Sequence, residues 1–215
     1  MKIIRFTSGE TYTPFAAAWE YYFCEDQLSI SLEELKKEIL DREKSIIEEH
    51  EFEDDWGTKL GANSLTARSN KYNLLNFDSA ASLKTAIKRT HDKFVTELGA
   101  PEPPVIYVQC WANVMRKGDQ IAVHSHGTDP YGYLSGHVCV QVNDTNTNYY
   151  NPYGGSPWDS PNEVGKITLF PNYLPHGTDK VEDDDERITI AFDIYTDEGY
   201  TNSITDDMKS HWMKL

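Results

Sequence analysis

Three histidines in this chain have spacing that suits a shared metal ion. His124 and His126 stand in the run Gly118-Asp-Gln-Ile-Ala-Val-His124-Ser-His126. Residues i and i+2 of a strand project from one face, so both imidazoles can approach one ion. The element Leu169-Phe-Pro-Asn-Tyr-Leu-Pro-His176 brings a third imidazole from a second strand, its Pro175-His176 step sitting in a bend. Arg187 opens the run Arg187-Ile-Thr189 beyond it and supplies a fixed cation with a hydroxyl on the same strand face. A metal beside a buried cation is what a small dicarboxylate co-substrate needs.

Imidazoles suit iron, zinc, copper and nickel, and three ligands on one face leave coordination positions open. Non-haem Fe(II) oxygenases usually present two histidines and one carboxylate. Here His126 holds the place of the aspartate in a His-x-Asp pair. Asp129 is the nearest acidic substitute, and Asp119 lies back at the start of the strand. Arg187 follows an acidic turn, Glu182 to Glu186, which reads as a solvated hairpin tip. A surface ion pair would be the plain reading of such an arginine. Its face argues for a pocket, because a guanidinium fork matches a carboxylate.

Two layers must position these groups. Before residue 104 the chain reads as helical support. Ser31 and Glu34 form a capping box, and Leu32, Leu35, Ile39, Ile46 and Ile47 recur at helical spacing to about residue 49. Residues 50–63 read as a loop. A second helix runs from about Ser79 to Leu98 on a stripe of Leu83, Ile87, Phe94 and Leu98, and ends at Gly99 before the Pro101-Glu-Pro-Pro104 run. From Val105 the texture is short β-type runs: 105–115, 120–125, 133–142, 147–151, 165–170 and 187–195. These predict a mainly β fold with α, a jelly roll with the N-terminal helices on one sheet. The organisation expected is a single domain over 1–215: a support region at 1–104, a catalytic core at 105–195 and a tail at 196–215.

Alternation in two runs says which face is which. Leu134, Val138, Val140 and Val142 point one way and Ser135, His137, Cys139 and Gln141 the other. Ile188, Ile190, Phe192 and Ile194 oppose Arg187, Thr189, Ala191 and Asp193. If the helices cover the aliphatic faces, the polar faces line a cavity between two sheets. The loop Tyr149-Tyr-Asn-Pro-Tyr-Gly-Gly-Ser-Pro-Trp158 reads either as a lid on that cavity or as a surface loop on aromatic anchors.

Charge narrows the partners. The 215 residues carry 35 acidic against 20 basic groups, a net charge of -15. Such a field repels phosphate backbones and anionic lipid, so neither nucleic acid nor a membrane surface is expected as a partner. Three widely spaced cysteines, Cys24, Cys110 and Cys139, form no CxxC pair and fit a reducing compartment. No basic-then-apolar leader and no apolar run of bilayer length is present, so the expectation is cytoplasmic, or host cytoplasm for a phage-encoded protein.

The segments Trp111-Ala-Asn113-Val-Met-Arg-Lys-Gly118, His124-Ser-His126, Leu134-Ser135-Gly136, Gly165-Lys-Ile-Thr-Leu-Phe170-Pro171, His176 and Arg187-Ile-Thr189 resemble the iron(II)- and 2-oxoglutarate-dependent dioxygenases. Within them the likeness is to a prolyl-hydroxylase-like branch of uncharacterised proteins from marine bacteria and phages. It covers about residues 105–195. The resemblance implies a double-stranded β-helix, with His124 and His176 as the two iron-binding histidines and His126 in place of the usual aspartate. It implies Fe(II) as cofactor and 2-oxoglutarate as co-substrate, the distal carboxylate held by Arg187 with Thr189, and Asn113 as a further contact. It implies hydroxylation of a peptide or small amino-acid-like substrate with release of succinate and CO2.

Two other readings share the motifs. A cupin also begins with a glycine and His-x-His, but would carry a glutamate four or five positions after the second histidine, where Pro130 and Tyr131 stand. The Arg187-x-Thr189 pair would also be unexplained in a cupin, and an intact set of metal-type residues argues against a non-catalytic phage structural jelly roll.

Overall fold

The computed structural model describes every residue of the chain except Glu53, which falls in the expected 50–63 loop, and Thr128. Among the described residues, ten strands build two antiparallel sheets. The larger takes β1 (Lys2–Thr7), β2 (Glu20–Gln27), β7 (Lys166–Pro171), β4 (Leu134–Gln141), β9 (Arg187–Thr196), β3 (Ile106–Met115) and β10 (Met213–Lys214), in that spatial order. The smaller runs β6 (Trp158–Pro161), β5 (Asn146–Tyr149) and β8 (His176–Thr178). The sheets do not close into a barrel. They form the open jelly roll the alternation called for, with β3, β4, β7 and β9 close to their expected bounds.

The outer face of the large sheet is aliphatic because helices cover it. Helices α1 (Glu33–Glu49) and α2 (Ala81–Glu97) bury Leu35, Ile39, Ile46, Leu83, Ile87 and Phe94 in one cluster with Val108, Cys110, Val138, Val140, Ile188, Ile190 and Phe192. Each such side chain contributes about 1.5–3 kcal/mol on burial, which makes this layer the main stabilising contact. Gly136 belongs to the same face. A Cβ there would stand 2.5 Å from the Phe192 ring and 2.3 Å from the Thr168 carbonyl, so only glycine lets the Phe192 ring lie across β4.

Four expectations change. Residues before 104 are not helical throughout: β1 and β2 form a hairpin whose second strand extends the sheet at β7. Leu32, not Ser31, precedes the first helical turn of α1, and no side chain caps it. The run 120–125 is not a continuous strand. It lies along β8 through Thr178 N donating to Ile121 O at 3.0 Å and through one bridge, His124 with His176. Residues 196–215 are built into the sheet: α3 (Asp197–Ser203) and α4 (Asp206–Lys209) lead to β10, which pairs with β3. All three cysteines are buried and unpaired.

Candidate metal and co-substrate site

The His124–His176 bridge is the local cause of the cluster. His124 N donates to His176 O at 3.0 Å and His176 N to His124 O at 2.9 Å, which sets the two rings side by side. His126 N donates to Asn172 O at 2.9 Å and swings the third ring inward. One nitrogen from each of the three rings lies within 4.8 Å of the others, a spacing that could hold one ion.

Tautomers are fixed by what each Nδ1 meets. That of His124 donates to Ala122 O at 2.9 Å and that of His176 to Leu174 O at 3.0 Å. The Nδ1 of His126 lies 2.6 Å from Asp193 Oδ1, which also accepts from Ser135 Oγ at 2.5 Å. With every Nδ1 engaged, each Nε2 keeps a lone pair for a metal. Burial pushes the His124 imidazole down to about 4, helped by the neighbouring His126, and holds His176 well below the usual imidazole range. Both are therefore neutral, as ligands must be, near pH 7.

Asp193 is the group that ligand-counting missed. It belongs to the inner face of β9, as the alternation placed it, opposite Ser135 on β4. Asp129 does not join the cluster. Its carboxylate accepts from Tyr131 N, Tyr195 Oη and Ser203 Oγ and ties α3 to the preceding loop. Asp119 accepts from Arg116 N in a turn.

Arg187 sits at the other end of the same cavity. It is 1% exposed, so the surface ion-pair reading does not hold. One guanidinium nitrogen lies 3.1 Å from Met115 Sδ and another donates to Thr147 Oγ1 at 3.2 Å; its Nε has no partner. Among the described residues none forms an ion pair with it. Asp179 acts on it from farther away, and that carboxylate is taken by Asn146 and Asn148. Thr189 and Asn113 are cross-strand partners on β9 and β3, joined by Asn113 Nδ2 donating to Thr189 Oγ1 at 3.3 Å. Thr66 donates to Asn113 Oδ1 at 2.5 Å and orients the amide.

All six expected residues, His124, His126, His176, Arg187, Thr189 and Asn113, line one cavity of about 270 Å³ between the sheets. Its further walls include Trp56, Trp111, Ile204, Met208 and Trp212, the last three from the C-terminal elements. No residue of 150–157 lines it. Tyr153 stacks on Trp19 at 5.4 Å and Trp158 meets Phe23 edge-on at 4.6 Å, so the aromatic loop is anchored on β2 and does not cover the cavity.

A buried guanidinium that forms no ion pair among the described residues, in one cavity with three imidazoles, fits a metal chelated by a dicarboxylate. Comparison with known proteins leads the same way. A family model described as "Putative 2OG-Fe(II) oxygenase" matches residues 156–193, the stretch that contains His176, Arg187, Thr189 and Asp193. No curated protein matches the chain. Solved structures do. A prolyl-4-hydroxylase from Pseudomonas putida shares 11% identity over 81% of this chain and 92% of its own, with a TM-score of 0.53. A prolyl hydroxylase from Trichoplax adhaerens, solved with a peptide fragment of the hypoxia inducible factor oxygen degradation domain, shares 12% identity over 85% of this chain and 87% of its own, at 0.54. An oxidoreductase of the 2OG-Fe(II) oxygenase family from Burkholderia pseudomallei matches 54% of this chain at 16% identity and 0.45; this chain spans 57% of it. At these identities the likeness is one of fold. Fold, family match and histidine cluster together define an oxygenase that uses Fe(II) and 2-oxoglutarate. Over residues 156–193 the chain matches the 2OG-Fe(II) oxygenase family model, and its fold is that of the prolyl hydroxylases compared.

Proposed function

We propose that this oxygenase hydroxylates a peptide or a small amino-acid-like substrate, with His124, His126 and His176 holding Fe(II) and Arg187, Thr189 and Asn113 holding the distal carboxylate of 2-oxoglutarate. The observation that carries the residue assignment is Arg187, a fully buried guanidinium whose Nε is unpartnered and with which no acidic side chain among the described residues forms an ion pair. Leaving such a charge uncompensated costs several kcal/mol, which a bound carboxylate offsets. Cupin chemistry and a non-catalytic jelly roll leave that cost unexplained.

The residues divide the work. The three histidines would hold the ion, each ring set by the partner that its Nδ1 meets. Arg187 fixes the far end of the keto acid, and the Asn113–Thr189 pair limits its swing, which orients the near end at the metal. Asp193 steadies the His126 ring through its Nδ1. When bound, the iron supplies oxygen activation coupled to decarboxylation of 2-oxoglutarate: one oxygen atom of O2 enters the substrate C–H bond as hydroxyl and the other enters succinate, with CO2 released.

Trp56, Trp111, Met208, Ile204 and Trp212 give the substrate side an aromatic and apolar wall, which suits an uncharged side chain. The net charge of -15 disfavours nucleic acid and anionic membrane as partners. No helix among the described residues is long and apolar enough to cross a membrane. We assign the protein to the cytoplasm on its three unpaired, buried cysteines. Succinate release tests the substrate class. It should rise above the uncoupled rate with a proline-rich peptide or an amino-acid mixture, and stimulation by nucleotides or nucleic acid alone would overturn the assignment.

A further inference from the structure

We infer that His137 is a fourth co-substrate-binding group, its Nε2–H donating to an oxygen of 2-oxoglutarate between the metal and Arg187. The inference rests on the residue roles proposed above. His137 lies on the inner face of β4, opposite Ala191 of β9. Ala191 stands two residues from Asp193 and four from Arg187 on β9, so His137 lines the cavity between the metal end and the guanidinium end. A strand rises about 3.3 Å per residue, which puts those end positions about 7 and 13 Å away along β9. A molecule reaching from the histidines to Arg187 must pass over it.

Its ring is buried, lines the cavity, and leaves Nε2 without any partner. The opposite nitrogen is occupied twice: Nδ1 lies 3.0 Å from Thr168 Oγ1 and 3.4 Å from Tyr149 Oη. Tyr149 Oη donates to Thr168 Oγ1, which leaves the Thr168 hydroxyl proton for Nδ1 and puts the ring proton on Nε2, facing the cavity. Burial and the nearby Arg187 push the imidazole down to about 3, so it meets an anion as a neutral donor and adds no second buried charge. A buried polar nitrogen left unpaired calls for a ligand acceptor. A packing role alone would not require a histidine on this floor, where Ala191 and Thr189 are its apolar and neutral neighbours.

The test uses Fe(II)-loaded protein under anaerobic conditions, titrated with 2-oxoglutarate and followed by calorimetry and the visible spectrum. His137→Leu should weaken co-substrate affinity about tenfold or more, the usual effect of losing a hydrogen bond to a charged group, with iron content and melting temperature unchanged. His137→Gln restores an N–H donor and should recover part of the affinity. Thr168→Val removes a hydroxyl that fixes the tautomer and should also weaken binding, which keeps the test open should His137→Leu fold poorly. Wild-type affinity in His137→Leu, or in both His137→Gln and Thr168→Val with no gradation between them, overturns the inference. If wild type itself binds no 2-oxoglutarate, the assignment of the site fails. If Arg187→Ala loses binding while the His137 variants keep it, only the role of His137 fails.

Discussion

Asp193 Oδ1 stands 2.6 Å from Nδ1 of His126, and the pair answers the question raised by a third histidine where an aspartate is usual. The negative charge is present, one bond farther from the metal. The carboxylate holds the Nδ1–H tautomer and strengthens Nε2 as a ligand. Asp193→Asn should therefore lower metal affinity about 10- to 100-fold, measured by competition with a chelating dye. Asp129→Asn should leave it unchanged, because Asp129 is engaged by Tyr195 and Ser203. The reverse pattern would move the acidic ligand to Asp129.

His124→Ala and His176→Ala should each reduce bound iron to background, since each removes one of three ligands and opens the bridge between the two segments. Iron retained in both variants would put the metal elsewhere.

Arg187→Ala should weaken 2-oxoglutarate binding by about 30-fold or more while leaving iron content largely intact, because truncating a buried charge partner costs on the order of 2–5 kcal/mol. Arg187→Lys should rescue little, as an ammonium cannot form the fork. Unchanged affinity would remove the arginine from the co-substrate site.

Acid should destabilise the metal-free protein before its carboxylates titrate. His137 is pushed from 6.5 down to about 3 by burial and Arg187, and His124 to about 4. Between those values and 6.5 the unfolded chain binds protons that the folded chain refuses, so stability is full above pH 6.5 and falls as pH drops. Each group contributes a slope of about 1.4 kcal/mol per pH unit at most. Urea midpoints in chelator should fall from pH 6.5 to pH 5, and less steeply in His137→Gln. A flat profile would contradict neutral burial of these rings.

Gly136→Ala tests the sheet–helix layer. Its Cβ meets the Thr168 backbone and the Phe192 ring, so the melting temperature should fall by an amount equal to about 1–3 kcal/mol, with loss of expression as the severe outcome. A neutral substitution would mean that β4 and β9 adjust freely.

The site was legible where local period and chemistry agree. Alternation in β4 and β9 put His137, Arg187, Thr189 and Asp193 on one face before any coordinates, because period 2 is a property of the backbone. The pairing of Asp193 with His126 was not legible, since it joins residues 67 apart through the fold. The aromatic loop 149–158 left two readings open for a related reason. Glycines and aromatics describe a lid and an anchored loop equally, and only the β1–β2 hairpin decides, by offering Trp19 and Phe23 as anchors. That hairpin carried its own signal in Lys2-Ile-Ile-Arg-Phe-Thr7 and Glu20-Tyr-Tyr-Phe-Cys24, β-branched and aromatic, but the charged helix that follows dominated the reading of the first hundred residues. The C-terminal segment has no strong period, and its place at the cavity comes from β10 pairing with β3.

The most direct measurement is the visible spectrum of the protein mixed anaerobically with Fe(II) and 2-oxoglutarate. A keto acid chelated to Fe(II) at the histidine cluster gives a metal-to-ligand charge-transfer band, absent when either component is left out and absent in His176→Ala. Its appearance in wild type is the expected result. No band in wild type at saturating iron and co-substrate, with the fold intact, would contradict the assignment of His124, His126, His176 and Arg187 to one catalytic centre.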